Sequence, residues 1–221
     1  MEGNRLTLAS ILAPARDCPL CPRLLAFRTR LRDEYQGWHN APVPSFGNTE
    51  ARLLIVGLAP GLRGANRTGR PFTGDFAGDL LYETLSAFGF AKGNYAGHAD
   101  DGLELVGCTI TNAVRCVPPE NKPIPAEITA CRPFLAATLK ALPNLTAVVA
   151  LGRIAHDTVL RAFGLKPLAF PFAHGAEHSL PKKNIVLFDS YHCSRYNTNT
   201  GRLTPDMFRA VFAEVRANLD R

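Results

Sequence analysis

The 221-residue sequence predicts an α/β fold, a three-layer α/β/α sandwich around a central, mostly parallel four-stranded sheet. Four short runs rich in Val, Ile and Leu, at 53–58, 109–114, 147–151 and 185–190, read as strands buried on both faces. Stretches with apolar residues at helical spacing lie at 79–88, 128–141, 154–163 and 205–219, the last opened by Thr204 as N-cap and Pro205 in the first turn. Strands alternating with helices imply parallel pairing with helices on both faces. A hydrophobic share of 46% supplies one substantial core. No repeat, low-complexity tract or linker divides the chain, so a single domain over 1–221 is expected.

No apolar run approaches the roughly 20 residues that cross a bilayer. The N-terminus, MEGNRLTLAS, lacks a basic stretch followed by a long apolar core. A soluble, cytoplasmic protein with no membrane partner is expected, working as a monomer. Lys and Arg number 25 against 19 Asp and Glu, a net charge of +6 that suits a polyanionic partner. The arginines gather in Gly- and Pro-rich segments such as LRGANRTGRPFTGD and YHCSRYNTNTGR, where a flexible backbone and forked donors suit phosphate contacts.

In a parallel sheet the ligand crevice lies beyond the carboxyl ends of the strands, so chemistry is sought in the loops that follow them. Those loops are GLAPG-LRGANRTGRPFTGD, NAVRCVPPENKP, GRIAH and SYHCSRYNTNTGR. Gly61 closes the first turn and lets backbone approach a ligand. Asp75 ends GRPFTGD and reads either as N-cap of a helix beginning near Phe76 or as a carboxylate facing the crevice. Phe72 reads as core or as a displayed ring. Asn112 stands at the end of a strand, where a buried amide needs partners, and His192 opens a polar loop. Of six cysteines, Cys108 and Cys193 fall in apolar runs as buried free thiols. Cys18 and Cys21 form a C-x-x-C knuckle that, with Cys116 and Cys131, makes a four-thiolate set compatible with zinc or an iron-sulfur cluster.

Five segments occur in an order that resembles the uracil-DNA glycosylase superfamily, and specifically its iron-sulfur type 5 branch. They are Cys18-Pro-Leu-Cys21, Gly57-Leu-Ala-Pro-Gly61, Gly69-Arg-Pro-Phe-Thr-Gly-Asp75, Thr111-Asn-Ala-Val-Arg-Cys-Val-Pro-Pro119 and the motif beginning His192-Cys-Ser. The resemblance implies that Asp75 supports the sugar cation and its attacking water, and that His192 donates to uracil O2. It implies that Phe72 stacks on the flipped base, Asn112 pairs with its edge, and Gly61 approaches it. The four cysteines would hold a 4Fe-4S cluster in a structural role, pinning the N-terminal segment to the domain. Arg195, Tyr196 and Asn197 would enter the DNA groove or fill the gap left by the flipped nucleotide. Leu58 stands where the type 4 branch usually has a glutamate, which by resemblance puts the chain with type 5; one departure stands out, Cys193 in place of the proline usual after the histidine.

The partner so implied is DNA containing uracil or other deaminated bases such as hypoxanthine, cleaved at the N-glycosidic bond by a mono-functional hydrolase. Three alternatives stay open: a type 4-like uracil-only enzyme, a non-catalytic single-strand nucleic-acid binder with a structural metal, and a zinc-bearing redox or regulatory protein. Metal content and cleavage of a uracil-containing duplex separate them.

Overall fold

A computed structural model describes residues 13–181 and 184–221. The first ten residues, read above for a leader, lie outside the described residues. The elements in chain order begin with α1 (Pro22–Glu34), β1 (Phe46–Gly47), β2 (Leu53–Gly57), α2 (Ala65–Thr68), α3 (Phe76–Ala87), β3 (Ala91–Lys92), β4 (Glu104–Leu105) and β5 (Cys108–Asn112). There follow α4 (Pro125–Lys140), β6 (Ala147–Leu151), α5 (Arg153–Ala162), β7 (Glu177–Ser179), β8 (Val186–Ser190), α6 (Arg195–Asn199) and α7 (Pro205–Leu219).

The four expected strands form the parallel centre in the order β5-β2-β6-β8. The sheet has six strands rather than four, because β1 and β7 add antiparallel edges to β5 and β8. These edges are two and three residues long and only partly buried, so they carry no apolar run in sequence. A separate two-stranded hairpin, β3–β4, lies outside this sheet.

Alternation along the central strands divides the core into two layers. Leu53, Ile55, Ile110 and Val149 pack against Leu81 and Leu85 of α3 and Phe208 and Phe212 of α7. Leu54, Val56, Val148 and Leu187 face the other way, onto Leu135 of α4 and Val159 of α5. Thr204 caps α7 by accepting from the Met207 amide, as its sequence signature implied.

Helix α1 was not legible as a periodic stretch, and its burial explains why. Its inner stripe is Leu24, Arg28 and Leu31, with a charged residue where an apolar one is expected. Arg23 forks onto Glu127 at 2.7 and 2.8 Å and so ties α1 to the first turn of α4. Among the described residues no helix is long and apolar enough to cross a membrane.

Candidate active site and thiol pocket

A cavity of about 640 Å³ opens beyond the carboxyl ends of β2 and β5, where the topology places a crevice. Four of its lining residues, Phe72, Asp75, Asn112 and His192, come from three different loops or strand ends. Gly61, the remaining expected base contact, lines it as well, as does Arg195.

Strand register sets the floor. Gly57 is paired with Asn112 across β2 and β5, and a side chain on Gly57 would overlap both the Asn112 amide and the Phe72 ring. The glycine is therefore what lets ring and amide approach the same backbone. Phe72 itself has φ +52°, a strained value for a bulky residue that is held by its surroundings. Its ring lies 5.8 Å from that of His192, with 28° between planes.

Asp75 caps a helix, as one reading of the sequence expects, and also lines the cavity. One carboxylate oxygen, Oδ1, accepts from the Gly78 amide at 3.2 Å and caps α3, which begins at Phe76. The other, Oδ2, lies against Gly61 and Gly64, and a side chain at Gly64 would overlap it. Burial raises the Asp75 pKa above its usual value against the lowering effect of the amides of Gly78 and Ala77. Cap and crevice carboxylate are thus the same group, used through different atoms.

Asn112 ends β5 and is buried, and its Oδ1 has no hydrogen-bond partner. His192 follows β8, and its Nδ1 is likewise buried without a partner. Burial pushes its pKa down to about 4, so the imidazole is neutral at neutral pH. Among the described residues these are two orphaned polar atoms on residues lining one cavity, an arrangement that is costly in a folded chain.

The loop after His192 is fixed from both sides. Asn197 Nδ2 donates to the His192 carbonyl at 2.8 Å, so this amide positions the loop from within. Cys193, in place of the family's proline, is fully buried and donates to the Ala77 carbonyl at 3.4 Å, which joins the His192 loop to the first turn of α3. Arg195 lies over the Phe76 ring at 5.5 Å, and Tyr196, next along the chain, is 73% exposed.

The arginines of the first loop do not all serve as the composition suggested. Arg70 is buried, forks onto Asp101 at 2.7 Å through both terminal nitrogens, and lies over the Phe46, Tyr82 and Tyr95 rings. It is a structural cation with no phosphate to meet. Arg63 does line the cavity, with Asn121 opposite in chain terms from the NAVRCVPPENKP loop. Neither was singled out in sequence; their only signal is membership of loops that follow strands.

Cys18, Cys21, Cys116 and Cys131 line a second, much smaller cavity with Leu24, Val114 and Phe134. All six cysteines are free thiols, and Cys108 and Cys193 are fully buried away from this set. Arg28 donates from Nη1 to Cys116 Sγ at 2.6 Å, and the Arg115 amide donates to Cys131 Sγ at 3.3 Å. Both guanidinium groups are buried and, among the described residues, bond to carbonyl, hydroxyl or thiol groups and to no carboxylate. Two buried cations beside four thiols fit an anionic thiolate centre. A further group of possible ligand atoms, on His156, His178 and Asp189, lies elsewhere, near the ends of β6 and β8.

Known proteins share this arrangement of sequence. The family model described as the uracil DNA glycosylase superfamily matches residues 44–216. A type-5 uracil-DNA glycosylase from Thermus thermophilus is 47% identical over 204 residues, covering 90% of this chain and 92% of that protein. One from Pyrobaculum aerophilum is 38% identical, over 91% and 89% of the two chains. A type-4 uracil-DNA glycosylase from Archaeoglobus fulgidus is 32% identical over 68% of this chain and 69% of its own. On the family match and these identities, the chain belongs to the uracil-DNA glycosylase superfamily.

Proposed function

We propose that this protein is a mono-functional DNA repair glycosylase of the type 5 kind, which flips uracil out of DNA in the cytoplasm and hydrolyses its bond to deoxyribose. The observation that carries this is the pair of partnerless buried atoms, Asn112 Oδ1 and His192 Nδ1, beside the Phe72 ring and the Asp75 carboxylate. A uracil offers what each lacks. Its N3–H and O4 match an amide oxygen and amide N–H, whereas cytosine presents the opposite pattern there. Its face stacks on Phe72.

In the reaction the bond between N1 and C1′ breaks, and its electron pair goes to the base. The neutral His192 imidazole donates a hydrogen bond to O2, where negative charge gathers, and Asp75 supports the cation developing at C1′. Water then attacks C1′, its proton passing toward Asp75, and the released base takes a proton from solvent. Among the described residues no lysine lines the cavity, in keeping with hydrolysis by water rather than an amine. Hypoxanthine is proposed as a further substrate, to be tested with an inosine-containing duplex. Arg195 and Tyr196 would meet the DNA strand.

Cys18, Cys21, Cys116 and Cys131 would hold the 4Fe-4S cluster, with Arg28 donating to Cys116 Sγ and the Arg115 amide to Cys131 Sγ. When bound, the cluster staples the knuckle before α1 to the loops after β5 and within α4. Iron and acid-labile sulfide should be found in a brown anaerobic preparation, and zinc without iron would refute this assignment. The glycosylase activity is tested on a duplex with one uracil. Free uracil should appear, and the strand should break at that position only after alkali; a break before alkali, or intact duplex, would refute it.

A further inference from the structure

We propose that the β3–β4 hairpin is a clamp that holds the Phe72 loop in its strained, base-stacking form, and that Tyr95 is the positioning residue that grips it. The proposal rests on the glycosylase function proposed above. It starts from the one bulky residue of the cavity that occupies the left-handed region, Phe72 at φ +52°. Such a conformation persists only where neighbours fix it.

The neighbours that do so come from outside the main sheet. Tyr95 Oη donates to the Phe72 carbonyl at 3.3 Å and accepts from the Gly74 amide at 3.2 Å, so one hydroxyl spans the residue on both sides. Tyr82 Oη donates to the Pro71 carbonyl at 2.7 Å, and the two tyrosine rings stack with centroids 4.6 Å apart. Arg70, at the start of the loop, donates from Nε to Thr73 Oγ1 at 2.8 Å and forks onto Asp101. Asp101 also accepts from the Ala96 and Leu103 amides at 2.9 and 3.1 Å.

Tyr95 and Asp101 both belong to the loop that joins β3 to β4, whose neck is closed where a side chain on Gly93 would overlap the Gly102 carbonyl. The hairpin therefore reaches the 70–74 segment at two points, one at its first residue and one at Phe72 itself. A hairpin serving stability alone has no need to bond the carbonyl of the stacking residue. This one fixes the ring's backbone before the base arrives, so the ordering cost of stacking falls before binding.

The test compares two uncleaved duplexes, one with 2′-fluoro-arabinouridine, which keeps its base, and one with a tetrahydrofuran abasic analogue, which has none. Tyr95→Phe, which retains the ring stacked on Tyr82, should weaken binding to the base-bearing duplex by about tenfold, in line with loss of hydrogen bonds from one hydroxyl. Binding to the abasic duplex should be unchanged. In a Phe72→Ala background the same substitution should have no further effect, since the ring it positions is gone. Equal loss on both duplexes, no loss on either, or full additivity with Phe72→Ala would overturn the clamp. Should Tyr95→Phe fold poorly, Asp101→Asn loosens the same loop through Arg70, and the same selective loss is expected and the same outcomes refute it. A wild type that fails to cleave uracil-containing duplex sinks the glycosylase function, and the clamp with it; a wild type that cleaves while these variants bind like it sinks the clamp alone.

Discussion

Two histidines near the same end of the sheet, His156 buried and His192 partly buried, have opposite surroundings. His156, in the first turn of α5, has both ring nitrogens engaged: Nδ1 with Asp189 Oδ1 at 2.7 Å and Nε2 with the Phe170 carbonyl at 2.8 Å. Asp189 takes a second contact from His178 Nε2 at 3.1 Å, so its carboxylate is satisfied too. Three residues beyond Asp189 along the chain stands His192, whose Nδ1 is buried and has no partner. The first network ties α5 to β8 and the edge strand β7. The second is left incomplete, at a cost the fold must bear. Satisfied buried polar groups hold a structure together, whereas unsatisfied ones grouped around a cavity are kept for a ligand.

That distinction can be broken at several points. The largest effect is expected for Asp75→Asn, which should slow single-turnover cleavage of a uracil duplex by about 10²-fold or more. Stability should hold, because Asn caps a helix about as well as Asp and burial already disfavours the charge on this carboxylate. Thermal melting beside the rate checks this; a fall in melting temperature with an unchanged rate would leave Asp75 a cap and nothing more. Phe72→Ala should lose stacking worth roughly 1–3 kcal/mol, read as weaker binding to base-bearing duplex. Asn112→Leu should impair uracil cleavage by roughly tenfold or more while leaving melting unchanged or higher, since it removes an orphaned polar atom.

Smaller effects follow from pH. Asp75 acts as a carboxylate and its pKa is raised by burial, so activity should fall on the acid side with a midpoint above the ordinary 3.8. A pH-rate profile shows this limb, which Asp75→Asn should abolish. His192 is neutral above about 4 and adds no limb near neutrality. Its pKa is lower folded than unfolded, so the unfolded chain binds more protons between 6.5 and about 4. Stability should therefore drop as pH falls through that window, and His192→Gln should flatten the drop in a series of denaturation curves.

The parallel centre of the sheet was legible because its strands are buried on both faces and so carry unbroken apolar runs. The edges β1 and β7 are too short and too exposed to leave such a trace. Helix α1 was hidden by Arg28, an arginine buried against a thiol rather than facing water. At the site, loop position made Asp75, Asn112 and His192 candidates among others, and the superfamily resemblance singled them out and supplied their roles. What sequence could not give was which polar atoms find partners. Asn197 looked free to contact DNA, yet its amide bonds the His192 carbonyl. Arg70 looked ready for phosphate, yet Asp101, distant in sequence, claims both its terminal nitrogens. Likewise GRIAH and SYHC each offer one histidine in a loop after a strand, and only packing tells the two apart.

The most direct measurement is therefore to take His192→Ala and His156→Ala side by side, recording single-turnover cleavage of a uracil duplex and unfolding free energy for each. His192→Ala should cleave about 10²-fold or more slowly and unfold much as the wild type does. His156→Ala should lose roughly 3 kcal/mol or more of stability, as expected when a buried carboxylate loses a partner, and cleave at close to the wild-type rate where it remains folded. Full activity in His192→Ala, or a stability loss there matching that of His156→Ala, would contradict the assignment of unpartnered polar atoms to the reaction.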